Sequence, residues 1–263
     1  MRVKSICTSI ALVVVFAGCR KEVELPDALV SAENNLNAVF EALDQQMEAA
    51  AEYIESVDLD TTLIRAKLSD LVNGNANVAE FSWVNPEGIL KLIEPPEFYD
   101  FQGLNISHED DFLQVSETKE PILSPTFTAS EGFYAAAVMH PILMNGTFSG
   151  AIEALLNTEG FLGEIMEPLI AGQAFELWVM EKGGTMIYDQ DAYVVGLNLF
   201  TDPLYKDFPD LLTAAEKIND EETGTTHYSF FRALTNETVT KLAYWTTVEH
   251  HGTEWKIVWV KPE

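Results

Sequence analysis

Apolar residues recur at helical spacing near the start of the chain and follow strand-like patterns over much of the rest. From Asp27, which we expect to cap the start, a heptad-like stripe predicts one amphipathic helix of roughly thirty residues. Such a stripe serves either as a dimer seam or as the buried face of the helix's own domain, and we favour the second. Its two registers hold Leu29, Leu36, Leu43, Ala50 and Val57, and then Ala32, Val39 and Tyr53, with a break at Gln46.

A second, shorter helix is predicted directly after the first. Asp60 is the expected cap of its first turn, and Asn73-Gly74 ends it because glycine accepts the left-handed geometry of a helix terminus. Residues 27–73 are therefore expected to form an N-terminal helical region. The apolar residues of the second helix are Leu63, Ile64, Leu68, Leu71 and Val72.

Two hairpin patterns each occur twice along the rest of the chain. In one, a Trp-Val pair precedes a turn glycine by the same spacing, at Trp83 and again at Trp178. In the other, a longer hairpin turns at Asn145-Gly146 and again at His251-Gly252. A repeat of roughly a hundred residues suggests two related α+β modules. The hairpins are expected at residues 81–93, 134–156, 177–188 and 242–260.

The predicted fold class is α+β, with a long N-terminal helix followed by two antiparallel-sheet modules. The first module is expected over residues 74–160 and the second over residues 173–261, joined by a linking helix over residues 161–172. Long helical crossovers between successive strands are missing from the pattern, which argues against a doubly wound parallel sheet.

The N-terminus has the pattern of an export signal that ends in a lipid-attachment cysteine. After a basic start, the apolar run over residues 6–16 has the length of a signal-peptide core and is too short to span a membrane. It passes directly into the lipobox-like Phe16-Ala17-Gly18-Cys19. We therefore predict a signal peptide over residues 1–18, a lipid on Cys19 and a tether over residues 19–26, which makes the protein extracytoplasmic and anchored to the cell membrane. The alternative is an ordinary cleaved signal.

Charge and motifs exclude several classes of function. The net charge of −27 repels phosphate backbones, which excludes nucleic-acid binding. Cys7 falls in the signal peptide and Cys19 carries the lipid, so neither a disulfide nor a cysteine metal site is expected. The sequence has no nucleophile elbow, no zinc-protease helix motif and no phosphate-cradling glycine loop. We expect neither an enzyme nor a cofactor.

Several short stretches occur in an order and spacing typical of one sensor family. They are Asn105-Ile106-Ser107 through Phe112, Pro121-Ile122-Leu123-Ser124 with Glu120 in place of a glycine, residues 195–200, residues 202–205 and residues 245–255. Together they resemble the double Cache family, especially its extracellular members in methane-producing archaea. The resemblance covers most of residues 28–260.

This resemblance implies two PAS-like sheets and a small ligand bound in the first, membrane-distal module. Family members feed kinase or chemotaxis domains, whereas this chain is expected to act without an output domain of its own. Amino-acid-binding members hold the ligand carboxylate with an Arg and its amino group with an Asp. Those positions fall near Glu109 and Leu155 here, so we do not expect an amino acid held by its carboxylate.

Residues 108–111 bring imidazole and carboxyl groups close to several aromatic residues. Carboxylates and aromatic faces both attract cations, which predicts a site for a cationic molecule or for a neutral one caged by aromatic rings. The plainer alternative is a solvated helix start, where acids are favourable. The candidate ligand-binding residues are His108, Glu109, Asp111, Phe112, Ser124, Phe127 and Tyr134.

No metal site is expected from the sequence. The acids form no calcium-loop motif. His250 and His251 could bind a transition metal, but neighbours on a strand point to opposite faces, which argues against a shared ion. At a turn, these two residues are predicted to lie on the surface. His140 lies in an apolar strand and is interpreted as a core histidine with a partner.

The sequence thus predicts an extracytoplasmic small-molecule-binding sensor domain, tethered by a lipid. Its expected partners are a small cationic or neutral ligand, the membrane through the anchor, and a membrane signalling protein or transporter. Two other functions stay open. One is a lipoprotein that delivers its ligand to a transporter, and the other is a structural or adhesion module of the cell surface.

Overall fold

The computed structural model describes residues 23–232, 235 and 237–263. The predicted signal peptide and the lipid-attachment residue Cys19 lie outside the described residues. Within the described part of the chain, no helix combines the length and the apolar character needed to cross a membrane.

The long N-terminal helix is confirmed as α1 (Asp27–Ser56). Its N-cap is Pro26 without a side-chain hydrogen bond, so the predicted capping role of Asp27 is wrong and Asp27 is the first helical residue. Tyr53 is exposed because the buried stripe includes its neighbour Ile54 instead. Val57 is only half-buried, because it is the C-cap and lies beyond the last helical residue. The stripe packs inside its own chain: Leu29, Ala32, Leu36, Phe40, Leu43, Met47, Ala50, Ala51 and Ile54 are buried.

The second helix, α2 (Thr61–Gly74), begins after Asp60 as predicted. It ends at Gly74, but without the left-handed glycine that was expected: Gly74 is the last helical residue, and the C-cap is Asn75 with φ of −135°. The carboxylate of Asp60 accepts hydrogen bonds from the backbone N–H groups of Thr62 and Leu63, at 2.9 and 3.1 Å. These bonds satisfy two donors that the first helical turn leaves without partners.

The first module is an antiparallel sheet in the order β2-β1-β6-β5-β3, with β4 also paired to β5. One face packs against α1 and α2. The other face is covered by a short 3-10 helix over Pro96–Phe101 and by α3 (Asp110–Thr118). The strands are β1 (Glu80–Val84), β2 (Leu90–Glu94), β3 (Ile122–Leu123), β4 (Phe127–Thr128), β5 (Tyr134–Met144) and β6 (Thr147–Asn157).

The second module repeats this plan with five antiparallel strands in the order β8-β7-β11-β10-β9. The helix α5 (Pro209–Asp220) packs against one face of its sheet. The predicted class of two antiparallel sheets behind a long helix is thus confirmed. The strands are β7 (Glu176–Glu181), β8 (Met186–Tyr188), β9 (Gly224–Phe231), β10 (Thr238–His250) and β11 (Thr253–Pro262).

One hydrophobic core connects the two modules. α4 (Thr158–Ile170) leads from the first sheet to the second, and its buried face joins that of α1. Phe40 of α1 contacts Phe161 of α4 and Trp255 of β11, with ring centroids 5.6 and 5.3 Å apart. Residues of α1, both sheets and α4 therefore share one core.

Candidate functional site

The outer face of the first sheet carries a cavity of about 480 Å³. Its floor is formed by β1 and β6, one wall by the loop that leads into α3, and the opposite wall by the segment around β4. This volume lies within the range typical of small-molecule sites. The lining residues are Glu80, Leu90, Leu104, Ile106, His108, Glu109, Asp110, Asp111, Ser124, Pro125, Thr126, Phe127, Thr128, Ser130, Glu131, Glu153 and Leu155.

Two buried glutamates lie on the floor of this cavity. Glu80 pairs with Leu155 across β1 and β6, and Ser82 pairs with Glu153. Both glutamates therefore point to the same face, as diagonal neighbours on adjacent strands. Glu80 is 2% exposed and Glu153 is 7% exposed.

The two floor carboxyls have different hydrogen-bonding environments. The Ser82 hydroxyl donates to Oε2 of Glu153 at 2.8 Å. Oε2 of Glu80 is buried and has no hydrogen-bond partner among the described residues. A buried polar atom without a partner is costly, so the cavity presents a group that a bound molecule would satisfy.

The electrostatic environment of the floor disfavours negative charge. Burial, followed by repulsion from Glu153 and Glu131, raises the pKa of Glu80 from 4.5 to about 9. Burial also raises the pKa of Glu153 to about 7, although the hydrogen bond from Ser82 opposes the shift. At neutral pH Glu80 is therefore protonated, and a cation placed beside either carboxyl would favour its ionised form.

More acids surround the cavity above its floor. Burial raises the pKa of Asp111, whose Oδ1 accepts a hydrogen bond from the backbone N–H of Phe112 at 2.7 Å. Burial likewise raises the pKa of Glu131. Glu109 and Asp110 are exposed at the start of α3. The lining residues include no lysine or arginine.

Five of the seven predicted ligand-binding residues line this cavity, in different settings. Asp111 and Phe127 are half-buried, while His108 and Glu109 are exposed at the rim, with His108 Nε2 3.2 Å from Glu109 Oε1. Ser124 lines the cavity, but its hydroxyl donates to the backbone oxygen of Pro125 and accepts from the N–H of Ala137. Its hydroxyl is thus committed to the backbone.

The other two predicted residues lie elsewhere. Phe112 is buried against Phe148, with ring centroids 5.9 Å apart. Tyr134 packs at the edge of the main core, and its backbone oxygen accepts from the Thr158 hydroxyl. Phe127 is consequently the one phenyl ring among the lining residues, and no aromatic cage is formed there.

Sequence reasoning missed Glu80 and Glu153, which form the floor. A signal was present for Glu153, because a single acid interrupts the apolar run over residues 151–156. An acid in such a strand is rarely buried without a function or a partner. The pairing with β1 could not be read from the sequence, since Ser82 and Glu153 are 71 positions apart.

Among the described residues, the corresponding face of the second sheet carries a much smaller void of about 30 Å³, lined by residues that include Tyr205 and Tyr228. This space can hold water but is far too small for an organic ligand. Burial raises the pKa of Asp189 beside it to about 7.

A separate polar cluster, defined by Asp44, His140, His250 and His251, lies where α1 meets both modules. Oδ1 of Asp44 is 2.9 Å from Nε2 of His140 and 3.0 Å from Nε2 of His251, and Oδ2 is 3.3 Å from Nε2 of His250. Burial opposes ionisation of Asp44, but these histidine contacts outweigh it and hold the pKa of Asp44 well below its usual range.

The expectation that His250 and His251 are surface residues on opposite faces is therefore wrong. β10 ends at His250, and His251 and Gly252 form a two-residue turn with φ of 47° and 89°. Positive φ at both central positions is the geometry of a type I′ hairpin turn. The turn replaces strand alternation and lets both imidazoles reach Asp44. His140 is buried and has a partner, as predicted.

Residues 38–158 match the family model described as "HK/GC/Chemotaxis protein-like, sensor domain". This segment contains most of α1 and the whole first sheet with its cavity. No curated protein matches the sequence.

Solved structures match the fold over most of the chain. An extracellular ligand binding receptor from Desulfohalobium retbaense is 26% identical, with a TM-score of 0.75, over 89% of this chain and 39% of that one. This chain thus spans about two fifths of that receptor's length.

Two domains of Pseudomonas aeruginosa amino acid chemoreceptors are also similar. The ligand-binding domain of PctB, in complex with L-Arg, is 13% identical with a TM-score of 0.64, over 89% of this chain and 91% of that one. That of PctC, in complex with GABA, is 16% identical with a TM-score of 0.61, over 88% and 96%. The chain therefore shares with these ligand-binding domains the fold of a long N-terminal helix followed by two antiparallel sheets.

Proposed function

We propose that this chain is an extracytoplasmic sensor domain whose first module binds a small organic amine in its cationic form. The observation that carries the proposal is the pair of buried carboxyls, Glu80 and Glu153, on the floor of a cavity lined by no lysine or arginine. An ionised carboxylate in a buried site needs a partner charge or several donors. An ammonium group supplies both.

The arrangement of the acids favours an organic cation over a metal ion. Of the described residues, only Asp44, His250 and His251 bring three possible metal-binding atoms within 4.8 Å of one another. The acids of the cavity are spread over its floor and rim, beyond the reach of a single coordination sphere. An extended molecule with one or more ammonium groups matches this spacing better.

The same lining argues against a ligand held through a carboxylate. PctB and PctC are chemoreceptors for amino acids, and their structures contain L-Arg and GABA. Here Glu109 and Leu155 line the cavity near the positions where the family resemblance expects the Arg and the Asp. Glu153, two residues before Leu155 on the same face of β6, can bind an amino group, but no basic side chain lines the wall for a carboxylate.

The rival functions fit the fold less well. Delivery to a transporter usually relies on two lobes that close about a hinge, whereas α1, α4 and one shared core hold these modules together. A purely structural module has no need for a cavity of about 480 Å³ with buried acids. The tethering lipid on Cys19, and action through a separate signalling protein, remain part of the proposal.

Calorimetry on the purified protein tests the ligand class. The probes are 1,4-diaminobutane, tetramethylammonium, L-arginine, L-alanine, acetate and Ca²⁺. We expect an amine without a carboxylate to bind, and Glu153→Gln to weaken it roughly 10- to 100-fold, since a charge-assisted hydrogen bond contributes ~1.5–3 kcal/mol. Glu97→Gln, an exposed acid of the same module outside the cavity, is the matched control.

Recognition of a carboxylate ligand would overturn the proposal. Tight binding of acetate or of L-alanine, lost on a first-module substitution, would show that the cavity recognises carboxylates. Binding of none of the six probes would favour a structural role.

The lipid anchor is tested separately. Cys19→Ser should release the protein from membranes, and unchanged membrane retention and mass would refute lipidation.

A further inference from the structure

The cluster of Asp44, His140, His250 and His251 combines residues from three parts of the fold. Asp44 comes from α1, His140 from β5 of the first module, and His250 and His251 from the β10–β11 hairpin of the second. None of these four residues lines the acidic cavity, so the ligand binding proposed for that cavity does not involve them.

Hydrogen bonds to Asp44 account for His140 and His251, but not for His250. Nε2 of His250 is buried and has no hydrogen-bond partner among the described residues, although Oδ2 of Asp44 lies 3.3 Å away. The rings of His250 and His251 are adjacent, with centroids 4.1 Å apart. Both rings therefore bring a ring nitrogen close to the Asp44 carboxylate, and the nitrogen of His250 is buried without a hydrogen bond.

The distances are close to those between ligand atoms around one ion. Ligand atoms at ~2.0–2.1 Å from a tetrahedral ion lie about 3.3–3.4 Å from one another. Oδ1 of Asp44 lies 3.0 Å from Nε2 of His251, and Oδ2 lies 3.3 Å from Nε2 of His250. One possible ligand atom from each of the three residues lies within 4.8 Å of the other two. Small rotations of these side chains would therefore accommodate a metal ion.

We propose that Asp44, His250 and His251 bind a divalent transition-metal ion such as Zn²⁺, and that His140 positions the carboxylate. Imidazole nitrogens with one carboxylate oxygen suit this class of metal, and three protein ligands leave a further coordination position open.

Surrounding contacts pre-organise the cluster. The His250 ring stacks on Phe40 with centroids 4.2 Å apart and planes 10° apart, which fixes its orientation. His140 donates to Asp44 from the buried side, as outer partners of ligating carboxylates commonly do. An ion bound there would tie α1 to the second-module hairpin.

The test uses the full chain without a histidine tag, dialysed first against EDTA and then against Zn²⁺. We expect about one bound zinc per chain by elemental analysis, a higher melting temperature that EDTA reverses, and X-ray absorption distances near 2.0–2.1 Å for nitrogen ligands. His251→Asn and Asp44→Asn should each weaken binding at least ~10-fold. Asparagine keeps the positive φ of the turn, so the hairpin is preserved.

Controls separate this site from others. His108→Gln and His227→Gln remove exposed imidazoles elsewhere, and Glu80→Gln with Glu153→Gln removes the floor acids of the cavity. Zinc binding should survive in all of them. Absence of stoichiometric zinc in the unmodified protein, or full retention in both His251→Asn and Asp44→Asn, would overturn the proposal. Loss of zinc in the cavity variant alone would instead assign the metal to the cavity.

Discussion

Thr126 of the first module and Glu181 of the second are joined by a side-chain contact that connects the cavity wall to the neighbouring module. The Thr126 hydroxyl donates to Oε2 of Glu181 at 2.8 Å, and its backbone N–H donates to Oε1 at 3.1 Å. Close by, the Thr253 hydroxyl donates to the backbone oxygen of Leu123 at 2.6 Å. The segment that lines one side of the cavity is therefore held to the second sheet at the end of β3 and just before β4.

Thr126→Val should lower the free energy of unfolding by about 1–2 kcal/mol, because the half-buried carboxylate of Glu181 loses its hydroxyl donor. Valine keeps the shape, so the loss reports the hydrogen bond. Urea denaturation measures it. Thr128→Val, an exposed threonine of the same segment, should change stability by less than ~0.5 kcal/mol. Equal effects of the two substitutions would show that the contact with Glu181 does not stabilise the interface.

Glu80 should make the protein less stable as the pH rises. Its pKa is 4.5 when exposed and about 9 in the folded state, so the folded protein binds the extra proton between these values. The free energy of unfolding then falls with rising pH across this window, by up to ~1.4 kcal/mol per pH unit for each such proton. Below pH 4.5 both states are protonated, and the penalty is absent.

Glu80→Gln mimics the protonated carboxyl and should remove this contribution. We expect the variant to gain stability relative to the unmodified protein progressively from pH 5 to pH 9, as measured by urea denaturation at each pH. Glu97→Gln, at an exposed position, should show no such trend. A constant difference between Glu80→Gln and the unmodified protein at all pH values would contradict the raised pKa.

Binding of a cation should release protons from the floor of the cavity. At pH 8 Glu80 is largely protonated, and an ammonium group beside it favours the ionised form. Calorimetry with tetramethylammonium, which does not titrate, should therefore give binding enthalpies that differ between phosphate and Tris buffers, corresponding to release of up to about one proton. Glu80→Gln should reduce the difference. Identical enthalpies in both buffers would show that the ligand does not contact these carboxyls.

The sequence predicted the features that depend on local chemistry. The Asp60 cap, the type of the long helix and the glycine-containing hairpins all follow from residues close together in the chain. Prediction from the sequence failed where the direction of a side chain depends on pairing with a distant strand or on the backbone geometry of a turn. Glu153 reaches the cavity through its register with β1, and His250 and His251 converge because their turn has positive φ.

The predicted site residues show the same distinction between features set by the local sequence and features set by the fold. The acids before α3 were identified because charge next to a helix start is visible in the sequence, and Asp111 and Glu109 do line the cavity. Phe112 was included as a neighbour of those acids, but the helix turns its ring into the core. Successive residues of a helix point in different directions, so proximity in sequence did not imply a shared site.

Glu109→Arg should shift the ligand preference of the cavity towards molecules that carry a carboxylate. Glu109 is the N-cap of α3 and makes no capping hydrogen bond with its side chain, so the fold does not depend on its carboxylate. An arginine there would add a planar donor group at the rim, suited to bidentate binding of a carboxylate. Glu153 and Glu80 on the floor would remain available for the ligand's amino group. We expect measurable binding of GABA or L-alanine and weaker binding of 1,4-diaminobutane, both by calorimetry.

Two variants separate recognition from a change in overall charge. Glu109→Gln removes the negative charge without adding a bidentate hydrogen-bond donor. It should weaken binding of the diamine without creating affinity for a carboxylate ligand. Glu97→Arg changes the net charge by the same amount as Glu109→Arg, but outside the cavity, and long-range effects of a single exposed charge are screened at physiological salt. If Glu97→Arg gains the same affinity, the effect arises from net charge. If Glu109→Arg gains none and keeps full affinity for the diamine, the α3 rim does not contact the ligand, and recognition rests on the floor acids alone.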